Sequence, residues 1–324
     1  MHEHNHESSH ESHGHAGHGH ASQGHAGHGH HHGAASFGWA FPIGVALNAG
    51  FVVFEVVGGV LANSTALLAD AGHNLGDVLG LLGAWVAAML ARRLPSARYT
   101  YGLRAGTILA SLANAAILLI SIGAILVEAL RRLLMPVPVE ADTVIVVALI
   151  GIAINGATAL MFAAGRRGEI NVRSVFQHMA ADAVISAGVV LAAIVVALTR
   201  WNWIDPVASI AVALAIGWGT WSLFRESLGM MLGAVPSGIE PDSVKEYLLS
   251  VPGVVAIHDL HIWSMSTTET ALTCHLVVPG DPHGPNFLAD IARELSQRFD
   301  IDHPTLQIER HIDVHCLLAP ANVV

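Results

Sequence analysis

His73-Asn74-Leu75-Gly76-Asp77 and His178-Met179-Ala180-Ala181-Asp182 are the two stretches from which the rest of this chain can be read. Each sets a His and an Asp four residues apart inside an apolar run. On an α-helix, positions i and i+4 lie one above the other on one face. Two such helices facing each other present two imidazoles and two carboxylates to a common point, an N2O2 set suited to Zn²⁺. A single His in an apolar span is explained as readily by a structural hydrogen bond. The same pair twice, on separate spans, points to metal ligation.

The surroundings of both pairs are lipid-like. Of 324 residues, 53% are hydrophobic and only 12% charged, and the mean hydropathy is +0.54. Soluble domains carry about 25% charged residues, so most of this chain belongs in a bilayer. Six apolar segments, near 39–61, 67–90, 106–130, 141–164, 174–199 and 204–225, are each long enough to cross one as helix. Arg92, Arg93, Arg98 and Arg104 lie in the 2–3 connection, and Arg166, Arg167 and Arg173 in the 4–5 connection. The opposite connections hold only Arg131, Arg132 and Arg200. The positive-inside rule then puts both termini in the cytoplasm. The N-terminus lacks the basic and apolar regions of a signal peptide.

Three further regions flank the spans, giving expected boundaries of 1–35, 36–235, 236–316 and 317–324. The first 35 residues hold 13 of the 22 histidines, with Gly-His-Ala-Gly-His-Gly-His at 14–20 and again at 24–30. Lacking large apolar residues, this tail is expected to be disordered and to capture metal loosely. Residues 236–324 carry 12 acids and 4 bases, a net of −8. That acidity favours cations and disfavours nucleic acid as a partner. The pattern there predicts a helix at 240–250, strands at 254–265 and 268–278, a helix at 285–298 and a strand at 304–314. The order αββαβ is a compact two-layer α+β unit, small enough to gain from dimerisation. Its two cysteines, Cys274 and Cys316, form no disulfide framework and suit a reducing compartment.

Ionisable groups inside a membrane cost about 2.5–3.5 kcal/mol each, so each needs a partner or a purpose. Asn48 and Glu55 lie seven residues apart on one face of the first span, and Asp70 precedes His73 by three. All three read as residues lining a cavity or supporting the ligands, although Glu55 packed in protonated form against a neighbouring helix is the plainer alternative. Gly58, Gly59, Gly80 and Gly83 read as places of close helix packing. Imidazole binds metal only when neutral, with an ordinary value of about 6.5. Protons and metal therefore compete for the same lone pairs.

At these residues the chain resembles the cation diffusion facilitator family of metal transporters. Ser64 through His73 to Asp77 is similar to the family's second-span signature, and Gln177-His178 through Asp182 and Ser186 to its fifth. The resemblance continues through Asp205-Pro206 and His258-Asp259-Leu260-His261-Ile262-Trp263, covering about residues 36–315. It implies an α-helical membrane protein of six transmembrane helices followed by a metallochaperone-like (ferredoxin-like) cytoplasmic domain, usually a homodimer. It also implies export of divalent metal against inward proton flow by alternating access, with His73, Asp77, His178 and Asp182 as the transport site. The His-Asp plus His-Asp set resembles the zinc-preferring branch, with Cd²⁺ and Co²⁺ as further substrates. Two features depart from relatives. The 2–3 connection carries no Asp or His, so no metal site is expected there, and the 4–5 connection is short and basic rather than His-rich.

For the soluble domain, the resemblance implies metal binding at His258, His275 and Glu309, with His303 as an addition. Strand parity puts Glu269, Thr273 and His275 on one face, and Gln307, Glu309 and His311 on one face. His258 shares parity with Leu260 and Ile262, which points it to the core unless a bulge or strand end intervenes. His261 reads as an orienting hydrogen-bonder near Trp263. His311, His315 and Cys316 are either another site or an ordinary tail.

The expected function is a zinc efflux transporter exchanging cytoplasmic Zn²⁺ for protons, integral to a bacterial inner membrane. Zinc is substrate and a structural or regulatory ion, with no prosthetic group. The alternative is a membrane metal sensor or buffer that binds without net transport. An enzyme is not expected, because no His-Glu-x-x-His motif supplies a general base beside the metal.

Overall fold

The computed structural model describes residues 40–163, 170–280 and 284–310. Six long helices come first: α1 (Ala40–Leu61), α2 (Thr65–Ala91), α3 (Gly106–Leu134), α4 (Ala141–Ala163), α5 (Ile170–Thr199) and α6 (Ile204–Met231). Five are long and apolar enough to cross a membrane, and α1 contributes the shorter apolar stretch Ala46–Leu61. Two helices outrun the hydropathic pattern. Beyond residue 130, α3 continues because Glu128 pairs with Arg131 at 3.6 Å and Arg132 at 2.9 Å along its surface. Beyond residue 225, α6 continues to a Schellman turn. There Gly233 adopts φ +76°, its N–H reaches the Met230 carbonyl, and the Ala234 N–H reaches that of Gly229.

The bundle is organised on α2, which touches α1, α3, α5 and α6, while α4 packs on α5 and α3 on α6. Ala62, Ala66, Leu67, Val144, Val147, Ala148, Val189, Val190 and Ala193 fill the space between α1, α2, α4 and α5. The outer surface is apolar instead, with Leu198 80% and Trp218 86% exposed, as a lipid-facing wall requires. Small residues set the helix spacing. A Cβ on Gly76 would fall 2.1 Å from Leu118 Cδ2, one on Gly58 2.8 Å from Val147, and one on Gly80 2.8 Å from Asn114. Gly59 is similarly tight against Leu68, whereas Gly83 has only an ordinary contact at 3.8 Å.

At the end of the bundle away from the soluble domain, α6 grips the start of α2. Asp205 accepts hydrogen bonds from Ser64 Oγ, Thr65 N (2.8 Å) and Thr65 Oγ1 (2.8 Å). Ser64 Oγ accepts from Leu67 N, an N-cap, and Ser209 Oγ donates to the Thr65 carbonyl. Arg132 closes over the same corner by donating to the Asn63 carbonyl.

The soluble unit follows as α7 (Pro241–Ser250), β1 (Ala256–Ser264), β2 (Thr270–Val277), α8 (Phe287–Phe299) and β3 (Ile301–Glu309). The strand order is β1-β2-β3, with β1–β2 antiparallel and β2–β3 parallel through α8. Val244, Leu248, Ile291 and Leu295 of the two helices close on Leu272, Cys274 and Leu276 of β2. This is the expected αββαβ order. β3 starts three residues before the expected 304, because Asp300 ends α8 with φ +53° and Ile301 goes straight into the core. Pro304 is tolerated on this strand at the sheet's edge. Positions 311–314 of the expected strand lie outside the described residues, as does the His-rich tail.

Candidate metal centre

α2 brings His73 and Asp77 to one face, and α5 does the same for His178 and Asp182. The four side chains form a ring in which imidazole and carboxylate alternate. His73 Nε2 lies 3.2 Å from Asp182 Oδ1 and 3.7 Å from Asp77 Oδ2. His178 Nε2 lies 3.1 Å from Asp77 Oδ2 and 3.6 Å from Asp182 Oδ2. Each contributes one ligand atom to a set within 4.8 Å of one another. A tetrahedral zinc with bonds of 2.0–2.2 Å has ligand-to-ligand edges of about 3.3–3.6 Å, so the observed edges frame such an ion. Asp182 is almost fully buried and Asp77 is a quarter exposed, so the ring is more open on the Asp77 side.

Further buried polar groups stand beside it. Glu55 on α1 is wholly buried and accepts from Asn74 Nδ2 at 2.8 Å, while its Oε1 has no hydrogen-bond partner. Asp70 is also wholly buried. Its Oδ2 accepts from Ser186 Oγ at 2.8 Å, and its Oδ1 has no partner. Asn48 is half-buried two turns from Glu55 on α1. Sequence reasoning named Glu55 and Asp70 but not the donors that hold them. Asn74 was visible only as the residue following His73, and Ser186 only as the last residue of the fifth-span signature.

The second cluster is in the soluble domain. His258 of β1 lies opposite His275 of β2, and the register shifts between His258 and His261. Asp259 takes φ +53° within that bulge. The extra residue turns His258 away from the parity of Leu260 and Ile262. Its Nε2 lies 3.3 Å from Glu309 Oε1, and His275 Nδ1 lies 2.9 Å from the same oxygen. His258, His275 and Glu309 thus form a three-ligand group. Asp259, which parity did not single out, reaches it as well, with Oδ2 3.6 Å from His275 Nε2 and Oδ1 accepting from His261 Nε2 at 2.9 Å. The available signal was the His-Asp-Leu-His run itself. His261 makes an orienting contact, to Asp259. His303 does not join the group: it pairs with Ala271 in the sheet and sets its ring edge-on to Tyr101 of the α2–α3 connection, at 5.7 Å. Cys274 is buried behind the cluster, and burial together with the Asp259 carboxylate pushes its thiol up to about 12. It shares the core face of β2 with Leu272 and Leu276, opposite the face that carries His275. His311, His315 and Cys316 lie outside the described residues.

A bundle of apolar helices with a part-buried N2O2 ring, joined to a small α+β unit with its own His/carboxylate cluster, is an architecture suited to handling metal at a membrane. The cation efflux transmembrane domain matches residues 42–232, and the cation efflux protein cytoplasmic domain matches 236–311. The chain is 35% identical over 269 residues to the metal cation efflux system protein CzcD of Cupriavidus metallidurans, covering 82% of this chain and 85% of that protein. It is 37% identical over 275 residues to the zinc transporter ZitB of Pectobacterium atrosepticum, covering 83% and 85%. It is 32% identical over 271 residues to a cadmium, cobalt and zinc/H(+)-K(+) antiporter of Bacillus subtilis, covering 82% and 87%. Among solved structures, the metal-bound C-terminal domain of the CzcD transporter is 34% identical, covering 22% of this chain and 99% of that one, with a TM-score of 0.20. The chain belongs to the cation diffusion facilitator (cation efflux) family of membrane transporters.

Proposed function

We propose that this protein exports divalent metal, chiefly zinc, from the cytoplasm in exchange for protons, by alternating access at the His73–Asp77–His178–Asp182 ring. The observation that carries this reading is the ring itself: two imidazole nitrogens and two carboxylates with zinc-sized edges, within a helical bundle. With both imidazoles protonated, the ring is electrically balanced without metal. With both neutral, it is balanced around a dication. Metal and protons are then interchangeable occupants of one site.

The soluble unit and the α2–α3 connection lie on the cytoplasmic side of a bacterial inner membrane in this reading. The chain divides into a His-rich tail (1–35), a transmembrane domain (36–235), a metal-binding and dimerising domain (236–316) and a terminal tail (317–324). His258, His275 and Glu309, with Asp259 rather than His303 beside them, take a regulatory zinc that favours the homodimer. Cd²⁺ and Co²⁺ also fit the transport ring, since ligand type separates borderline divalent ions weakly. In proteoliposomes, an imposed pH gradient drives zinc movement by the wild type, and Asp77→Ala and Asp182→Ala reduce it to the rate of empty vesicles. Undiminished flux in either variant would overturn the assignment.

A further inference from the structure

Outside the ring, the bundle buries two kinds of carboxylate. Asp205 is held by three donors at a helix start. Glu55 and Asp70 are not. Each is wholly buried, each receives one hydrogen bond, and each keeps an oxygen with no partner. Among the described residues no Lys or Arg pairs with them: α1, α2 and α4 contain none, and the cationic group nearest in sequence to Asp70 is His73, and that only when its ring holds a proton. The titratable groups around the pair are His73 and Asp77 on α2 and His178 and Asp182 on α5. The α4 acid Asp142 lies in that helix's first turn, and Asp205 on α6 is committed to Ser64 and Thr65. An ionised carboxylate in such surroundings is strongly disfavoured, whereas a carboxyl holding a proton is not.

Position adds to this. Asp70 lies one turn from His73 toward the start of α2, the end away from the soluble domain. Its anchor Ser186 lies one turn beyond Asp182 on α5. The anchor of Glu55 is Asn74, the residue next to His73. Each acid is therefore tied to a ligand-bearing segment without being a ligand. We propose that Glu55 and Asp70 are the proton station of the exchange, a pair of carboxyl groups that hold and pass the counter-ion between the metal ring and the face opposite the soluble domain. A carboxyl O–H releases its proton toward the ring when the cation departs, and the carboxylate left behind takes one from that face. Over a cycle the pair returns to its starting charge. The inference rests on the proton-exchange reading of the ring.

The test uses the full chain in proteoliposomes, with zinc as the cation and a trapped pH dye reporting counterflow. Glu55→Gln and Asp70→Asn are expected to bind zinc as the wild type does and to pass zinc down its own gradient at equal pH. Both are expected to lose acceleration by a pH gradient and the accompanying proton signal, and Glu55→Asp is expected to recover both. Wild-type proton counterflow in Glu55→Gln and Asp70→Asn would overturn the proposal, as would zinc binding lost in parallel with transport, which marks a purely structural role. Should the variants not fold, infrared difference spectra of the wild type decide. Adding zinc must change a deuterium-sensitive carbonyl band of protonated carboxyl, and its absence overturns the proposal. If the wild type itself moves no zinc under a pH gradient, the exchange reading fails instead, and the infrared result still tells whether the pair holds protons.

Discussion

Glu309 Oε1 sits between the imidazoles of His258 and His275, 3.3 Å from the first and 2.9 Å from the second. Removing it leaves two imidazoles with half their binding chemistry. In a background where His73 and His178 are replaced, Glu309→Ala is expected to weaken zinc binding roughly 100-fold by titration, a loss on the scale of a disrupted metal site. His303→Ala is expected to leave that affinity unchanged, because its ring is spent on Tyr101. Cys274 supplies a pH signature in the same domain. Its folded value of about 12 exceeds the ordinary 9.0, so below pH 9 it adds no slope. Between 9 and 12 the unfolded chain loses the thiol proton first, and stability falls as pH rises. Thermal unfolding from pH 8 to 11 should show that fall in the wild type and less of it in Cys274→Ala.

At the scale of elements, the pairs His73/Asp77 and His178/Asp182 were readable because helical period alone aligns them, whatever the rest of the chain does. Strand parity was equally informative for His275 and Glu309. It misdirected His258, since a bulge resets parity and depends on one residue, Asp259, taking a left-handed conformation that nothing in the apolar pattern announces. Close packing was legible as a tendency and not as an address. Gly58, Gly59 and Gly80 stand at tight contacts, Gly83 does not, and the tightest of this set, Gly76, lies inside the ligand stretch itself. The difference is set by which neighbour's side chain arrives there, here Leu118. Gly76→Ala is therefore expected to cost about 1–3 kcal/mol, seen as a lowered Tm in detergent. Gly123→Ala, with nothing within 4 Å, should match or slightly exceed the wild type.

Across the whole molecule, the order of six apolar helices and an αββαβ unit followed from hydropathy and period, while the seam between them did not. Arg104 meets Glu269 at 2.8 Å, and the Thr267 N–H donates to Thr107 Oγ1 at 3.1 Å. These contacts join residues 165 and 160 positions apart, a separation that no local pattern encodes. The ion pair is more than a third exposed on each side, so Arg104→Ala is expected to change stability by under about 1 kcal/mol. A larger drop in Tm would mean that the seam carries more of the fold than its solvent access allows.

The grip of Asp205 on Ser64 and Thr65 limits how such a carrier can move. Sliding α2 past α6 at that end would strand a buried carboxylate, two hydroxyls and a helix-start amide at once. α2 and α6 are thus pinned together like the closed end of a pair of tongs. Any change of access to the ring must swing the free ends or displace α5, taking one His-Asp pair away from the other while the pin stays shut.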